Sequence, residues 1–267
     1  MKKHFIRERR IYCGEKYCEV DIIPRTAMQE KVAKGKRAKR TKESAPKQNN
    51  INDKNARRYL VQTVNGNFGT GDYHISATYK PKYMPETIED AEKVVGNYLR
   101  RIAYAMKRKG TVLKYVIVTE YIMSENEKPK NIHHHIVINS GLDRDEVEAL
   151  WSMRRKKGEK KGDGIGIINC DRLQAEGNGL EAIAKYITKR HGSKGKKRWS
   201  SSRNLIRPES IKNDHKYRSK RKIEMIAKEN DNSFWEKEYS DYKISEVEKV
   251  YYEDTGWHIY LKMWKKE

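Results

Sequence analysis

The stretch KYVIVTEYIMSENEKPKNIHHHIVIN, residues 114–139, decides the fold. Its first part, Lys114 to Ile122, and its last part, Ile132 to Asn139, are rich in β-branched and aromatic residues, which predicts two strands. The polar segment SENEKPKN separates these strands and favours an antiparallel hairpin. Ser140 and Gly141 then end the second strand.

Further elements flank this hairpin on both sides. Asp72 to Lys80 predicts a strand that stops before Pro81, and Gly164 to Cys170 predicts a later strand. Between the first strand and the hairpin, apolar residues recur at the spacing of one buried helix face. Those residues are Ala91, Val94, Val95, Tyr98, Leu99, Ile102 and Ala105.

Two more helices complete the pattern. Asp143 is a helix-capping residue type and precedes RDEVEALWSM, which predicts a short helix. Leu180 to Arg190 predicts a final helix, with Gly192 as its stop. The resulting order is β-α-β-β-α-β followed by a helix, which is the split βαβ or ferredoxin-like order. We therefore expect an α+β domain with a four-stranded antiparallel sheet, two helices on one face, and the other face available.

The histidine run suggests a metal site. Side chains alternate across a strand, so His133 and His135 project from one face and His134 from the other. Two imidazoles so placed can chelate a divalent cation, and Glu120 on the partner strand is the expected third ligand. Glu125 and Glu127 in the loop are weaker candidates. The alternative is that the histidines are surface or supporting residues without a metal.

The final helix offers a nucleophile. Tyr186 and Lys189 are three residues apart and therefore share one face of the predicted helix. A tyrosine can act as a covalent nucleophile, and a nearby ammonium would favour phenolate and stabilise phosphate charge. The same spacing is common for a core tyrosine beside a solvated lysine. Only the position of the pair, after the fourth strand, supports the interpretation of Tyr186 as a nucleophile.

Composition points to a polyanionic partner. The chain has 267 residues with 59 Lys+Arg and 37 Asp+Glu, a formal net charge of +22. Such an excess favours nucleic acid. Lys31 to Lys47 is a basic segment, either a flexible arm that orders on DNA or a plain solvated linker. No apolar run is long enough to span a membrane. The charged N-terminus predicts no signal peptide, and the three cysteines indicate a reducing, cytoplasmic setting.

Together these motifs resemble the HUH endonuclease superfamily, in particular its rolling-circle replication initiators. NFGTGDYHISATYK (67–80) is similar to the first motif of that family, NIHHHIVIN (131–139) to its metal motif, and AKYITK (184–189) to its Tyr-x-x-Lys motif. KKRWSSSRNLIRP (196–208) resembles the segment that follows the tyrosine. The resemblance covers roughly residues 60 to 208.

The resemblance implies a complete activity. His133, His135 and Glu120 would hold Mn²⁺ or Mg²⁺, Tyr186 would be the nucleophile, and Lys189 its helper. The implied reaction nicks and joins single-stranded DNA at a replication origin through a 5′-phosphotyrosine, and the freed 3′-hydroxyl serves a host helicase and polymerase. Residues expected to bind DNA are Lys196, Lys197, Arg198, Trp199 and Arg203. A cytoplasmic protein of a bacterium, or of a phage or plasmid in a bacterial host, is implied.

Three departures from the family pattern are visible. His134 occupies a position that is usually a plain hydrophobe, and a register slip would bring it into use instead. The first motif reads ISATY rather than LTLTY. Ala182 lies four residues before Tyr186, where two-tyrosine initiators carry the second tyrosine, so the chain resembles the single-tyrosine type.

Other readings of the sequence stay open. A transposase or conjugative relaxase of the same superfamily is one, and a non-catalytic RRM-like nucleic-acid-binding protein is another.

We expect three regions: a partly flexible basic N-terminal extension (1–58), the nuclease domain (59–208), and a C-terminal extension (209–267). Within the last region, two strands around Asp254-Thr255-Gly256 predict a β-hairpin that packs on or near the nuclease domain.

Overall fold

Two five-stranded antiparallel sheets organise the chain. A computed structural model describes residues 4–34, 46–125, 128–153, 158, 162–187 and 199–266. These form two compact units: Met1–Gly66 together with Ile206–Glu267, and Asn67–Leu205. The second unit carries the predicted site.

The N-terminal elements belong to the first unit. They are β1 (His4–Cys13), β2 (Tyr17–Thr26), α1 (Ala27–Lys34) and α2 (Pro46–Asn65). The turn between β1 and β2 contains Gly14 at φ 68°, a left-handed conformation that glycine adopts without strain. The predicted basic segment falls largely on residues 35–45, which lie outside the described part of the chain.

The second unit contains the elements predicted from the sequence. They are β3 (Tyr73–Ala77), α3 (Ile88–Arg108), β4 (Tyr115–Met123), β5 (Pro129–Ile138), α4 (Arg144–Ala149), β6 (Ile168–Arg172), α5 (Glu181–Tyr186) and β7 (Ser200–Ser201). The strand order is β6-β3-β5-β4-β7, with every neighbouring pair antiparallel. The α+β, ferredoxin-like prediction is thereby confirmed, with β7 as an additional fifth strand.

The last strand of the βαββαβ pattern begins later than predicted. Regular pairing starts at Ile168 rather than at Gly164. The reason is Gly166, whose α-carbon lies so close to the Thr78 backbone that a side chain would collide with it. Residues before Ile168 still bond to the segment that directly follows β3. The amides of Thr78 and Lys80 donate to the carbonyls of Ile167 and Ile165.

One face of this sheet is covered by α3 and α4. Helix α3 is capped by Thr87, whose side chain accepts a hydrogen bond from the Asp90 amide. Helix α4 carries a capping box between Asp143 and Glu146. The buried face of α3 consists of Ile88, Ala91, Val95, Tyr98, Leu99, Ile102 and Met106. These residues pack with the inward side chains of β3 and β5 in one hydrophobic core, so the opposite sheet face is left for other contacts.

The C-terminal elements complete the first unit. They are β8 (Glu209–Asn213), α6 (Lys220–Lys228), α7 (Ser233–Glu238), β9 (Tyr242–Tyr252) and β10 (Gly256–Lys265). The predicted hairpin is β9–β10, and β10 pairs with β2, so both ends of the chain share the sheet β8-β1-β2-β10-β9. Cys13 and Cys18 are buried free thiols in this unit. None of the described helices is long and apolar enough to cross a membrane.

Candidate active site

The predicted metal ligands lie on the sheet face opposite α3. In β5, Ile132, Ile136 and Ile138 point into the helix-covered core. His133 and His135 therefore project to the other side. Glu120 of β4 is the cross-strand partner of His133, which places the two side chains on the same face. The β4–β5 register shifts directly after Glu120, an irregularity of the kind that re-aims side chains beside functional sites.

The three side chains converge on one point. His133 Nε2 lies 3.1 Å from Glu120 Oε2, and His135 Nε2 lies 3.8 Å from the same oxygen. One ligand atom from each residue lies within 4.8 Å of the others. Two imidazole nitrogens and one carboxylate oxygen suit a divalent transition ion, and three protein ligands leave coordination positions for a substrate. The cluster can therefore hold a metal ion.

The protonation state of His135 suits this purpose. Burial lowers its pKa to about 4, as do His74 and His133, while the Glu120 carboxylate acts in the opposite direction. The imidazole is therefore neutral near pH 7. Only a neutral imidazole offers a lone pair to a metal ion, so no proton has to be displaced before binding.

The middle histidine has a different environment. His134 faces the helices and is fully buried. Its Nε2 is 2.7 Å from the Tyr79 hydroxyl oxygen, and its Nδ1 is 2.9 Å from the Thr119 hydroxyl oxygen. Burial lowers the pKa of His134 to about 3, so it is neutral. Both ring nitrogens have partners, and the register slip that would have used His134 as a ligand does not occur.

Tyr186 lies directly beside the group formed by Glu120, His133 and His135. Its ring centroid is 5.4 Å from that of His135, in an edge-on arrangement. The Tyr186 side chain is 56% exposed, whereas its neighbours Ala184 and Ile187 are buried and anchor α5. The Tyr186 side chain is thus held next to His135 while more than half of the residue remains exposed to solvent.

The other predicted site residues are less fully defined. Lys189, Lys196, Lys197 and Arg198 lie outside the described residues, as does the loop candidate Glu127. Glu125 is exposed, and among the described residues the metal cluster contains Glu120 instead.

Residues 199–204 run along the edge of β4. Trp199 is partly buried and immediately precedes β7, which pairs with β4. The Tyr115 amide donates to Ser202 Oγ, and Asn204 Nδ2 donates to the Leu113 carbonyl oxygen. Arg203, between these anchors, is exposed. Trp199 and Arg203 are thus placed at the edge of the sheet that carries Glu120.

His74 is a site residue that the sequence did not reveal. It lies on β3, its Nε2 is 3.3 Å from His135 Nδ1, and the two rings stack with centroids 5.5 Å apart. Burial lowers the pKa of His74, and Asp171 opposes that shift. The sequence pattern that could have identified His74 is the alternation of side chains in β3. Tyr73 and Ile75 face the core, so His74 faces the other side. Only the β3–β5 pairing reveals which residue it meets.

Two open clefts border the site. One, of about 370 Å³, is lined by Thr78, Tyr79, Met84, Glu120, Tyr121, Ile122, Asn131, Ile132 and His133. The other, of about 350 Å³, is lined by His74, Asp171, Leu180 and Tyr186, among others. Each cleft has the size range of a small ligand site.

The comparisons agree with this geometry. A ferredoxin-like α+β unit with a potential His/Glu metal centre is the class of protein that fold and site define. Residues 72–191 match a family model described as a replication-associated protein of the ORF2 type. The match spans residues 72–191, less than half of the chain, and agrees over this segment with the resemblance to rolling-circle replication initiators. No curated protein and no solved structure gives a significant match.

Proposed function

We propose that the protein nicks and rejoins single-stranded DNA at a replication origin through a 5′-phosphotyrosine on Tyr186, and so initiates rolling-circle replication. One observation carries the proposal: the Tyr186 ring lies 5.4 Å from His135, a member of the potential metal cluster. A nucleophile and a metal centre at this separation can act on the same phosphate.

His133, His135 and Glu120 are the residues proposed to hold the ion, Mn²⁺ or Mg²⁺. Their donor set of two imidazole nitrogens and one carboxylate fits such an ion and leaves positions open. When bound, the ion supplies Lewis-acid polarisation of the scissile phosphate. The residues contribute the orientation, since all three are held on adjacent strands of one sheet.

The proposed step is an in-line displacement at phosphorus. The phenolic oxygen of Tyr186 forms a bond to the phosphorus, and the bond from phosphorus to the 3′-oxygen breaks. The departing 3′-oxygen takes up a proton, which balances the proton lost from the phenol. Lys189 is proposed to stabilise the phenolate and the phosphate charge. The reverse attack by a 3′-hydroxyl rejoins the strand, so no nucleotide hydrolysis is required.

The charge of the chain supports a DNA substrate. A formal net charge of +22 favours contacts with phosphates, and such contacts weaken with salt. Lys196, Lys197, Arg198 and Arg203 are proposed to hold the DNA backbone, and Trp199 to stack on a base. A host helicase and polymerase are the proposed users of the free 3′-hydroxyl.

The non-catalytic RRM-like reading is less well supported. RRM proteins stack bases on aromatic side chains of the open sheet face. Here Tyr73 and Tyr79 belong to the core on the helix-covered side, and β3 presents His74 and Ser76 to the other face. A metal cluster and an exposed tyrosine therefore occupy the place where stacking residues would be needed.

A covalent capture experiment tests the proposal. The full-length protein is incubated with random single-stranded oligonucleotides and Mn²⁺, and adducts are separated on a denaturing gel. We expect an adduct from the wild type and none from Tyr186→Phe. Tyr104→Phe is the matched control, because Tyr104 is 68% exposed on α3 and lies on the opposite side of the sheet.

Two results would overturn the assignment. An adduct that persists in Tyr186→Phe removes this tyrosine from the reaction. Absence of any adduct from the folded wild type, with Mn²⁺ or Mg²⁺ over a range of oligonucleotide pools, argues for binding without cleavage. Sequencing the captured ends tests whether cleavage is sequence-specific, and one recurring cleavage sequence is expected of a protein that acts at an origin.

A further inference from the structure

We propose that His74 is a positioning residue for the metal centre: it holds His135 so that Nε2 of His135 faces the ion. The inference rests on the proposed function, because it assigns a role within the same site. His74 lies within the segment 67–80 that resembles the first motif of the family, but the motif comparison assigned it no role.

The two nitrogens of His135 have separate partners. Nδ1 is 3.3 Å from His74 Nε2, and Nε2 is directed to Glu120 at 3.8 Å. His74 therefore contacts the nitrogen that is turned away from the cluster. It is not itself in the group of three ligands that the described residues form. This arrangement matches the general pattern in which a ligating histidine uses its second nitrogen to bond a supporting group.

The hydrogen bond determines where the protons lie. If Nε2 of His135 binds an ion, its proton is on Nδ1, and Nδ1–H donates to His74 Nε2. His74 must then be neutral and carry its own proton on its Nδ1. Asp171 is the cross-strand partner of His74 on β6 and extends from the same sheet face.

The same contact organises the nucleophile. The rings of His74 and His135 are nearly parallel, at 11°, and Tyr186 meets both edge-on with centroid distances of 6.3 Å and 5.4 Å. Removal of His74 therefore affects both the orientation of His135 and the surface on which Tyr186 rests. A residue that serves only the core would affect neither.

Metal affinity gives the first test. Isothermal titration of the full-length protein with Mn²⁺ is carried out on the wild type, His74→Leu and His74→Gln. Loss of such a supporting partner typically weakens metal binding 10- to 100-fold, so we expect at least about a tenfold increase in the Mn²⁺ Kd for His74→Leu. His74→Gln should recover part of the loss, since its amide oxygen can accept the bond from His135.

A matched control checks for a general effect of histidine removal. His258 is a partly buried strand histidine of the first unit, bonded to Thr255 and Tyr260. His258→Leu should leave the Mn²⁺ affinity unchanged. Thermal unfolding of each variant establishes that it is folded before titration.

The protonation of the histidine nitrogens can be measured in the wild-type protein. In the Zn²⁺-loaded protein with ¹⁵N-labelled histidine, long-range ¹⁵N–¹H spectra report which nitrogen of each ring carries the proton. We expect His135 to be protonated on Nδ1 and His74 to have an unprotonated Nε2. Protonation of His74 at Nε2 would contradict the proposal, even if the leucine variant failed to fold.

The outcomes separate this inference from the proposed function. Equal Mn²⁺ affinity of the wild type and a folded His74→Leu overturns the role of His74 and leaves the nuclease proposal standing. Equal losses in the leucine and glutamine variants indicate a structural role and also overturn it. Absence of metal binding by the wild type removes the metal centre, and the positioning role with it.

Discussion

His134 and Tyr79 are joined by a hydrogen bond of 2.7 Å on the buried side of the strand that carries the proposed metal ligands His133 and His135. This contact explains how one histidine of three serves the core while its two neighbours serve the site. The Thr119 hydroxyl oxygen lies 2.9 Å from Nδ1, the second ring nitrogen of His134. These two contacts therefore hold β5 in place at His134, between His133 and His135.

Replacement of His134 by leucine should destabilise the protein without removing the metal site. The change leaves the Tyr79 and Thr119 hydroxyls without their buried partner, at a cost of about 1–3 kcal/mol in unfolding free energy. Urea denaturation measures that loss, and the double variant His134→Leu/Tyr79→Phe should recover part of it. An Mn²⁺ affinity as weak as that of His135→Ala, at unchanged stability, would instead make His134 a ligand.

The buried histidines should make the stability of the metal-free protein depend on pH. The pKa of His134 is about 3 and that of His135 about 4, whereas an unfolded histidine titrates near 6.5. Between these values the unfolded chain binds more protons, so stability is fully present above pH 6.5 and falls as the pH drops toward 4. For His134 alone the loss between pH 7 and pH 5 is on the order of 2 kcal/mol.

Thermal unfolding between pH 7 and pH 5 measures this dependence. His134→Leu should show a shallower decline than the wild type, because one of the buried titrating histidines has been removed. The same decline in both proteins would mean that His134 does not contribute to it.

Neutralisation of Glu120 should weaken metal binding. Glu120→Gln keeps an oxygen near His133 and His135 but removes the charge that attracts a cation, so we expect the Mn²⁺ Kd to rise at least about tenfold, or roughly 1.4 kcal/mol. Glu125→Gln is the matched control, because Glu125 is an exposed acid of the following loop. A larger effect of Glu125→Gln than of Glu120→Gln, by isothermal titration, would transfer the carboxylate role to the loop.

The basic residues after the tyrosine should contribute to DNA binding. Replacement of Lys196, Lys197 and Arg198 by alanine should weaken single-stranded DNA binding and reduce the magnitude of the salt slope by about 0.7 for each phosphate that is no longer neutralised, or about 2 in total. Fluorescence anisotropy at several salt concentrations measures both quantities. The charge-matched control replaces Lys107, Arg108 and Lys109 at the end of α3. An equal reduction by the control would show that only total charge matters.

Much of the second unit follows from local sequence patterns. The alternation in Ile132 to Ile138 assigns His133 and His135 to one face, and the short polar loop before it makes the hairpin that brings Glu120 opposite His133. Both relationships are local, because neighbours along one hairpin are fixed by strand period and loop length. The helix with Tyr186 follows the fourth strand as predicted.

Contacts between distant segments could not be predicted in this way. The approach of His74 to His135 depends on which strands pair and in which register, and 61 positions separate the two residues. The later start of β6 depends on the close packing of Gly166 against Thr78. The pairing of β2 with β10 joins both ends of the chain, and nothing in either strand identifies its partner.

The sequence by itself determined the order of the elements, the face on which each histidine of the run lies, and the pairing of Glu120 with that run, because periodicity and short loops act over a few residues. Tertiary structure alone decided that His74 contacts His135, that Tyr186 lies against that pair, and that segments from both ends of the chain build one sheet. These relationships arise when hydrophobic burial brings remote strands together, and burial is non-directional, so residue spacing does not record which segments will meet.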